Sequence, residues 1–313
     1  MSKTAKILLC VVGGVFVVGG ILATIGFGLG GVRPVRFDGL RPTVLTDDAT
    51  TTVNEHWDNI TAVDIDSSIV SLKMIPGDSF SLTGSYPADL VTLDIHESGG
   101  TLRISSESQP RPWFLNIFNF GSYPFAPDKN YELVLTYPAD AEFSSVSFVG
   151  DLGNLDVSSL RAKSLSARLN AGNLTGKDIR VDDFDVDMDL GNCEINGLDV
   201  AQRARAALNL GSLKLTSAKI NDLTAELDLG SAVFEGTLWG TATLSLNMGE
   251  ADLRLQNSEA ELSYLFRASM GDVSLNGISK SSGVNSSTQS SVANPTCTLD
   301  VKTNMGSITV STS

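Results

Sequence analysis

The sequence predicts an all-β protein, a right-handed parallel β-solenoid of about 19-residue coils with a β-rich N-terminal cap and one N-terminal transmembrane helix. Three observations predict it. A unit of Asp or Asn (once Ser), an apolar residue, Gly and a small polar residue recurs along the second half of the chain. Apolar residues alternate on either side of each unit, the period of a strand with one buried face. Residues 7–31, ILLCVVGGVFVVGGILATIGFGLGG, carry no charge.

The first six residues form a short tail. Residues 7–31 follow as a helix of roughly 37 Å, long enough to cross a ~30 Å hydrocarbon core with tilt. The run exceeds a signal-peptide core and no small-x-small cleavage site follows it, so an uncleaved anchor is expected. Cys10 does not mark a lipoprotein, because only three apolar residues precede it and Leu9 fills a position that wants a small side chain. Gly26 and Gly30, and likewise Gly19 and Ala23, stand four apart and offer a small-residue face for self-association. Lys3 and Lys6 face Arg33, Arg36 and Arg41 across the span, so charge leaves orientation open. A six-residue tail before a large acidic domain favours a cell-membrane location, single-pass, with the solenoid extracytoplasmic.

Residues 32–57, with Pro34, Pro42 and TDDATTT at 46–52, read as a linker. Residues 58–142 read as a β-rich part without a clean period. Val63 and Ile65, then Ile69, Leu72 and Met74, mark two strands. Phe80 and Leu82 follow the Pro76-Gly77-Asp78 turn, and Gly99-Gly100 separates Leu93 and Ile95 from Leu102 and Ile104. An aromatic loop, 109–127, interrupts them with Trp113, Phe114, Phe118, Phe120, Tyr123 and Phe125. It is expected either to plug the open end of a solenoid or to present an apolar patch to a membrane or partner.

The repeats occupy 143–313. Their glycines are Gly153, Gly172, Gly191, Gly211, Gly230, Gly249, Gly271 and Gly306, at gaps of 19, 19, 20, 19, 19, 22 and 35. Glycine at a corner permits φ > 0 and close backbone approach. A single coil cannot cover its own apolar face, but a second coil stacked ~4.8 Å away can. The 35-residue gap is assigned to a flexible, low-complexity loop at 279–295, SKSSGVNSSTQSSVANP.

The first position of the unit alternates as Asp151, Asn170, Asp189, Asn209, Asp228 and Asn247, and parity points this column outward. Two carboxylates ~4.8 Å apart would repel by roughly 3.5 kcal/mol at an effective dielectric of 20. Interleaved amides separate and bridge them, so the column is expected to be a structural ladder. One Asp every second coil does not supply the six to eight oxygens of a calcium site.

Lys plus Arg total 22 against 36 Asp plus Glu, a net charge of −14. Four of those cations lie in the first 36 residues, which hold no acid. The remainder repels phosphate backbones, and nucleic acid is not expected as a partner. Cys193 and Cys297 lie far apart and read as small buried side chains. His56 and His96 stand beside no Cys or motif-like Ser, and no P-loop, nucleophile elbow or zinc-protease pattern occurs. Acid pairs such as Asp182-Asp183 and Asp185-Asp187 suit solvated turns better than glycosidic chemistry. No catalytic residue, cofactor or metal is expected.

The strand YELVLTYPAD (131–140), the segment SSVSFVGDLGNLDV (144–157) and the units after it resemble the bacterial putative-adhesin β-strand-repeat family, catalogued as a domain of unknown function. The resemblance runs from about residue 60 to the end. It implies a β-solenoid ectodomain in the bacterial cell envelope and no catalytic residues, some members being tied to envelope-stress regulation. The aromatic and Ser-rich loops depart from it. The expected function is therefore a non-enzymatic, membrane-anchored, adhesin-like or scaffolding surface that engages an envelope protein or glycan. The alternatives are a sensor or modulator acting through a membrane partner and, more remotely, a carbohydrate-active enzyme.

Overall fold

Alternation of buried and exposed residues runs through nearly every strand of the protein, and parallel registers connect those strands at offsets close to the glycine spacing. The computed structural model describes residues 35–38, 41–44, 50–88, 91–108 and 131–313. The expected membrane helix at 7–31 and the aromatic loop fall outside the described residues. Among the described residues no helix is long and apolar enough to cross a membrane.

The chain divides into two units. In the first, β1 (Val35–Asp38) and β2 (Arg41–Val44) form an antiparallel hairpin. The second holds β3 (Thr50–Trp57), so the stretch read as a linker contributes strands to both units.

The middle of the second unit is the predicted stack. It comprises β10 (Ser145–Leu152), β11 (Leu155–Ser158), β12 (Arg161–Ala171), β13 (Leu174–Leu190), β14 (Cys193–Leu210), β15 (Leu213–Leu229), β16 (Ala232–Met248) and β17 (Ala251–Leu255). Each pairs in parallel with its equivalent in the next coil: Leu174 sits on Cys193, Cys193 on Leu213, and Leu213 on Ala232. Every coil has three straight runs. In one coil Cys193 and Ile195, then Leu198 and Val200, then Ala204, Ala206 and Leu208 are all buried. Register shifts at Val181/Asp183 and Val200/Ala204 mark the corner before the third run, and the latter absorbs the extra residue of the 20-residue gap.

Both ends depart from sequential stacking. At the N-terminal end, β4 (Ala62–Ser67) and β5 (Ser71–Gly77) lie directly against β10 and β11. The later pair, β8 (Thr101–Ser108) and β9 (Glu132–Pro138), stacks outside them. Antiparallel β7 (Val91–Ser98) and β6 (Phe80–Pro87) cover β8 and β9. The part read as a cap without a period is thus two further coils of the same stack, hidden in sequence by its insertions.

The C-terminal end repeats this logic. After a 3₁₀ turn at Glu259–Glu261, β18 (Leu262–Met270) and β19 (Val273–Leu275) form a coil. The last strands, β22 (Cys297–Met305) and β23 (Ile308–Ser311), insert between that coil and its predecessor. β20 (Ile278–Ser281) and β21 (Val284–Ser290) then lie antiparallel on β19 and β18. The segment read as a flexible Ser-rich loop is therefore mostly strand. Polar side chains suit an edge that faces water, and backbone pairing with an unpaired neighbour outweighs composition.

Candidate functional site

The glycine column is set by contact between backbones. An added Cβ at Gly191 would lie 1.7 Å from the carbonyl oxygen of Gly172, and at Gly230 1.6 Å from that of Gly211. These residues have φ of +141° and +155°. The same close approach orders the last three corners as Gly249, Gly306 and Gly271, following the inserted strand rather than the sequence.

Outward from this corner, the Asp/Asn column is hydrogen-bonded in pairs. The amide of Asn170 donates to Asp151 at 2.8 Å, Asn209 to Asp189 at 2.6 Å and Asn247 to Asp228 at 2.7 Å. Asn304 continues the row by donating to the amide oxygen of Asn247 at 2.7 Å. A second ladder, not singled out from sequence, follows the glycines. Asn154 accepts from the backbone N–H of Asn173 at 2.9 Å, Asn173 from that of Asn192 at 3.0 Å, and Asn192 from that of Ser212 at 3.0 Å. Its sequence signal is the small polar position of the repeat, which supplies side-chain acceptors for corner N–H groups.

The next corner carries a third row. Ser159, Asp178, Gly197 and Ser217 all have left-handed φ, between 51° and 82°. Beside them Arg161, Arg180, Asp199 and Lys219 stack in register on successive coils. These two rows and Ala139 line an open depression of about 320 Å³. Arg161, Arg180 and Lys219 make no ion pair or side-chain hydrogen bond among the described residues. By contrast Arg205 pairs with Asp185 at 3.2 Å, Arg203 with Asp183 at 3.4 Å and Arg267 with Asp300 at 2.7 Å. The depression therefore presents three cations without ion pairs, together with the carboxylates of Asp178 and Asp199.

Of the four acids that could serve glycosidic chemistry, Asp183, Asp185 and Asp187 pair with arginines of the next coil. His56 and His96 are exposed, and no three metal-ligating side chains converge among the described residues. Cys193 and Cys297 are buried free thiols. Burial pushes Cys193 up to about 12 and Cys297 up to about 11. Burial likewise raises the phenol of Tyr137, which donates to the carbonyl of Ser158 and meets Phe143 edge-on at 5.3 Å.

Glycine-cornered coils stacked in parallel, with polar ladders outside and apolar rows inside, define a β-repeat protein of the stacked-coil class. The chain belongs to the Toastrack DUF4097 family, which matches residues 60–311. Similar crystal structures include a "putative adhesin" from Bacteroides fragilis NCTC 9343, at 12% identity over 84% of this chain and 98% of that one, TM-score 0.45. Another is a "putative lipid binding protein" from Parabacteroides distasonis ATCC 8503, at 13% identity over 85% and 98%, TM-score 0.42. A third, a "putative cell adhesion protein" from Clostridium sporogenes ATCC 15579, has 10% identity over 84% and 100%, TM-score 0.33. No curated protein matches the chain. The family agrees with the resemblance read from residues 131–157.

Proposed function

We propose that the protein is a non-enzymatic cell-envelope protein that holds a long binding surface off the membrane, adhesin-like in action, on residues 7–31 as a single-pass anchor. The coils wind right-handedly, as parallel crossovers do, and the sides of the stack meet the ligand. The observation that carries this reading is the row over the open depression in which Arg161, Arg180 and Lys219 stand without ion pairs, Asp199 lying in register between the last two. Arg203, Arg205 and Arg267 pair with carboxylates on neighbouring coils, whereas Arg161, Arg180 and Lys219 keep their hydrogen-bonding capacity for a group brought from outside. Fixed spacing along the stack suits a ligand carrying repeated anionic or polar groups, such as an envelope glycan.

The test compares cells carrying the full chain with cells carrying the Arg161→Glu, Arg180→Glu, Lys219→Glu variant. Retention on surfaces coated with isolated envelope polysaccharide is expected to fall about tenfold in the variant. Equal retention of both strains, matching cells that lack the chain, would overturn the reading. Exchange of residues 1–31 for an unrelated anchor is expected to preserve retention, whereas loss would favour a signalling role through the helix.

A further inference from the structure

The apolar residue that precedes each corner glycine does not enter the core. Leu190, Leu210, Leu229, Met248, Met305 and Met270 stand on consecutive coils in direct register. Each is 39 to 52% exposed. Val284, on the antiparallel edge strand beside Met270, extends the row. Ten large hydrophobic side chains are exposed among the described residues, and seven of them belong to this one row. Scattered exposure is ordinary, but a continuous apolar ridge marks a contact.

The flanks of the ridge restrict what it meets. One side is the ladder Asp189, Asn209, Asp228, Asn247, Asn304 and Ser269; the other is Asn192, Ser212, Ser231, Glu250, Ser307 and Asp272. Neither contains a cation or an aromatic residue, the groups that seat a surface on lipid headgroups. We propose that the ridge is the interface with a second copy of this chain, the two stacks running antiparallel.

Charge and shape both support this occupant. A two-fold axis through the middle of the six-residue row, between Leu229 and Met248, superimposes the row on itself reversed. Each leucine then faces a methionine of the other copy: Leu229 meets Met248, Leu210 meets Met305 and Leu190 meets Met270. Methionine is flexible and polarisable enough to fill the space beside a fixed leucine. Along one flank Asp228 faces Asn247, Asn209 faces Asn304 and Asp189 faces Ser269. Along the other Ser231 faces Glu250, Ser212 faces Ser307 and Asn192 faces Asp272. No acid faces an acid, although the chain carries a net charge of −14.

Six side chains exposed to this degree bring about 500 Å² of apolar surface per copy, below the ~800 Å² per partner of a standard stable interface. The dimer is accordingly weak in solution, with a dissociation constant in the micromolar range.

Sedimentation of the full chain in detergent, over protein concentrations of about 1 to 100 μM, tests this. A dimer is expected that strengthens as NaCl rises from about 50 to about 500 mM, because screening relieves repulsion between acidic copies and leaves apolar contact intact. The Leu210→Asp, Leu229→Asp variant should weaken association at least about tenfold, with an unchanged circular dichroism spectrum. Gly26→Leu, Gly30→Leu should leave the salt-strengthened step in place. For orientation, chains carrying Leu190→Cys are mixed with chains carrying Met270→Cys under mild oxidation. Mixed disulfides are expected over like-with-like ones. A monomer at every concentration, association unaffected by the ridge substitutions, a dimer that salt dissociates, or preferential Leu190→Cys self-pairing would each overturn the proposal.

Discussion

Cys193 has no solvent contact, and burial holds its thiol at about 12 instead of the usual 9.0. Cys297 is held at about 11. A thiol whose pKa is raised by folding stabilises the fold below its unfolded value, and that contribution is lost as pH climbs towards the folded value. Stability should therefore be insensitive to these thiols below about pH 9 and fall above it, by roughly 1 kcal/mol per thiol at pH 10. Urea midpoints at pH 7 and pH 10 measure this, and Cys193→Ala should flatten the difference. The burial of both cysteines was legible in the sequence, because each occupies an apolar position of its repeat. The unpaired state of Arg161, Arg180 and Lys219 was not. Whether a surface cation meets an acid depends on the register of neighbouring coils, which a linear spacing does not supply.

At the scale of the coil, the corner does the structural work. Gly230→Ala drives a methyl group into the carbonyl of Gly211, and relief requires the two coils to part. The expected loss is about 3 kcal/mol or more, read by denaturant unfolding. Gly277 has a φ of +72° but nothing within 4 Å of the position of a Cβ. Gly277→Ala should cost only the backbone term, about 1 kcal/mol, and so separates strain from collision. The corners were legible because the physical requirement repeats every coil and so writes a period. The coil at Ala62–Gly77 lacks that glycine at its corner, and the strands Thr101–Ser108 and Glu132–Pro138 contain none. At the first, the hydroxyl of Ser67 bonds the carbonyl of Val70, and Ser106 accepts from the N–H of Ser68. A corner made from serine leaves no periodic trace, so these coils read only as loose strands. The Ser-rich segment failed for the opposite reason: its composition described its solvent face and said nothing of the backbone edge it covers.

Across the whole molecule, an array of repeats ordinarily couples each unit only to its neighbours in sequence. Trimming a final coil from such an array leaves the rest intact. Here β22 and β23 separate β16 and β17 from β18 and β19, so removal of residues 297–313 leaves two facing edges without partners. The truncated chain should lose protection through Leu262–Ser290 as well, and limited proteolysis is expected to cut there first. Resistance of that region equal to the intact chain would show that it closes directly onto β16.

The inserted strands also bear on how such a molecule is made and how it changes over time. Synthesis delivers Cys297–Ser311 after the coil at 262–275 that must end up beyond it. That earlier coil has to stay detached, or move aside, until Cys297–Ser311 arrives. Either end of the array is thus a clasp closed by a non-neighbouring stretch of chain, and a gene duplication that added a coil there would jam it. New coils can enter only between the clasps, across Ser145–Leu255, where the even spacing of the glycines survives.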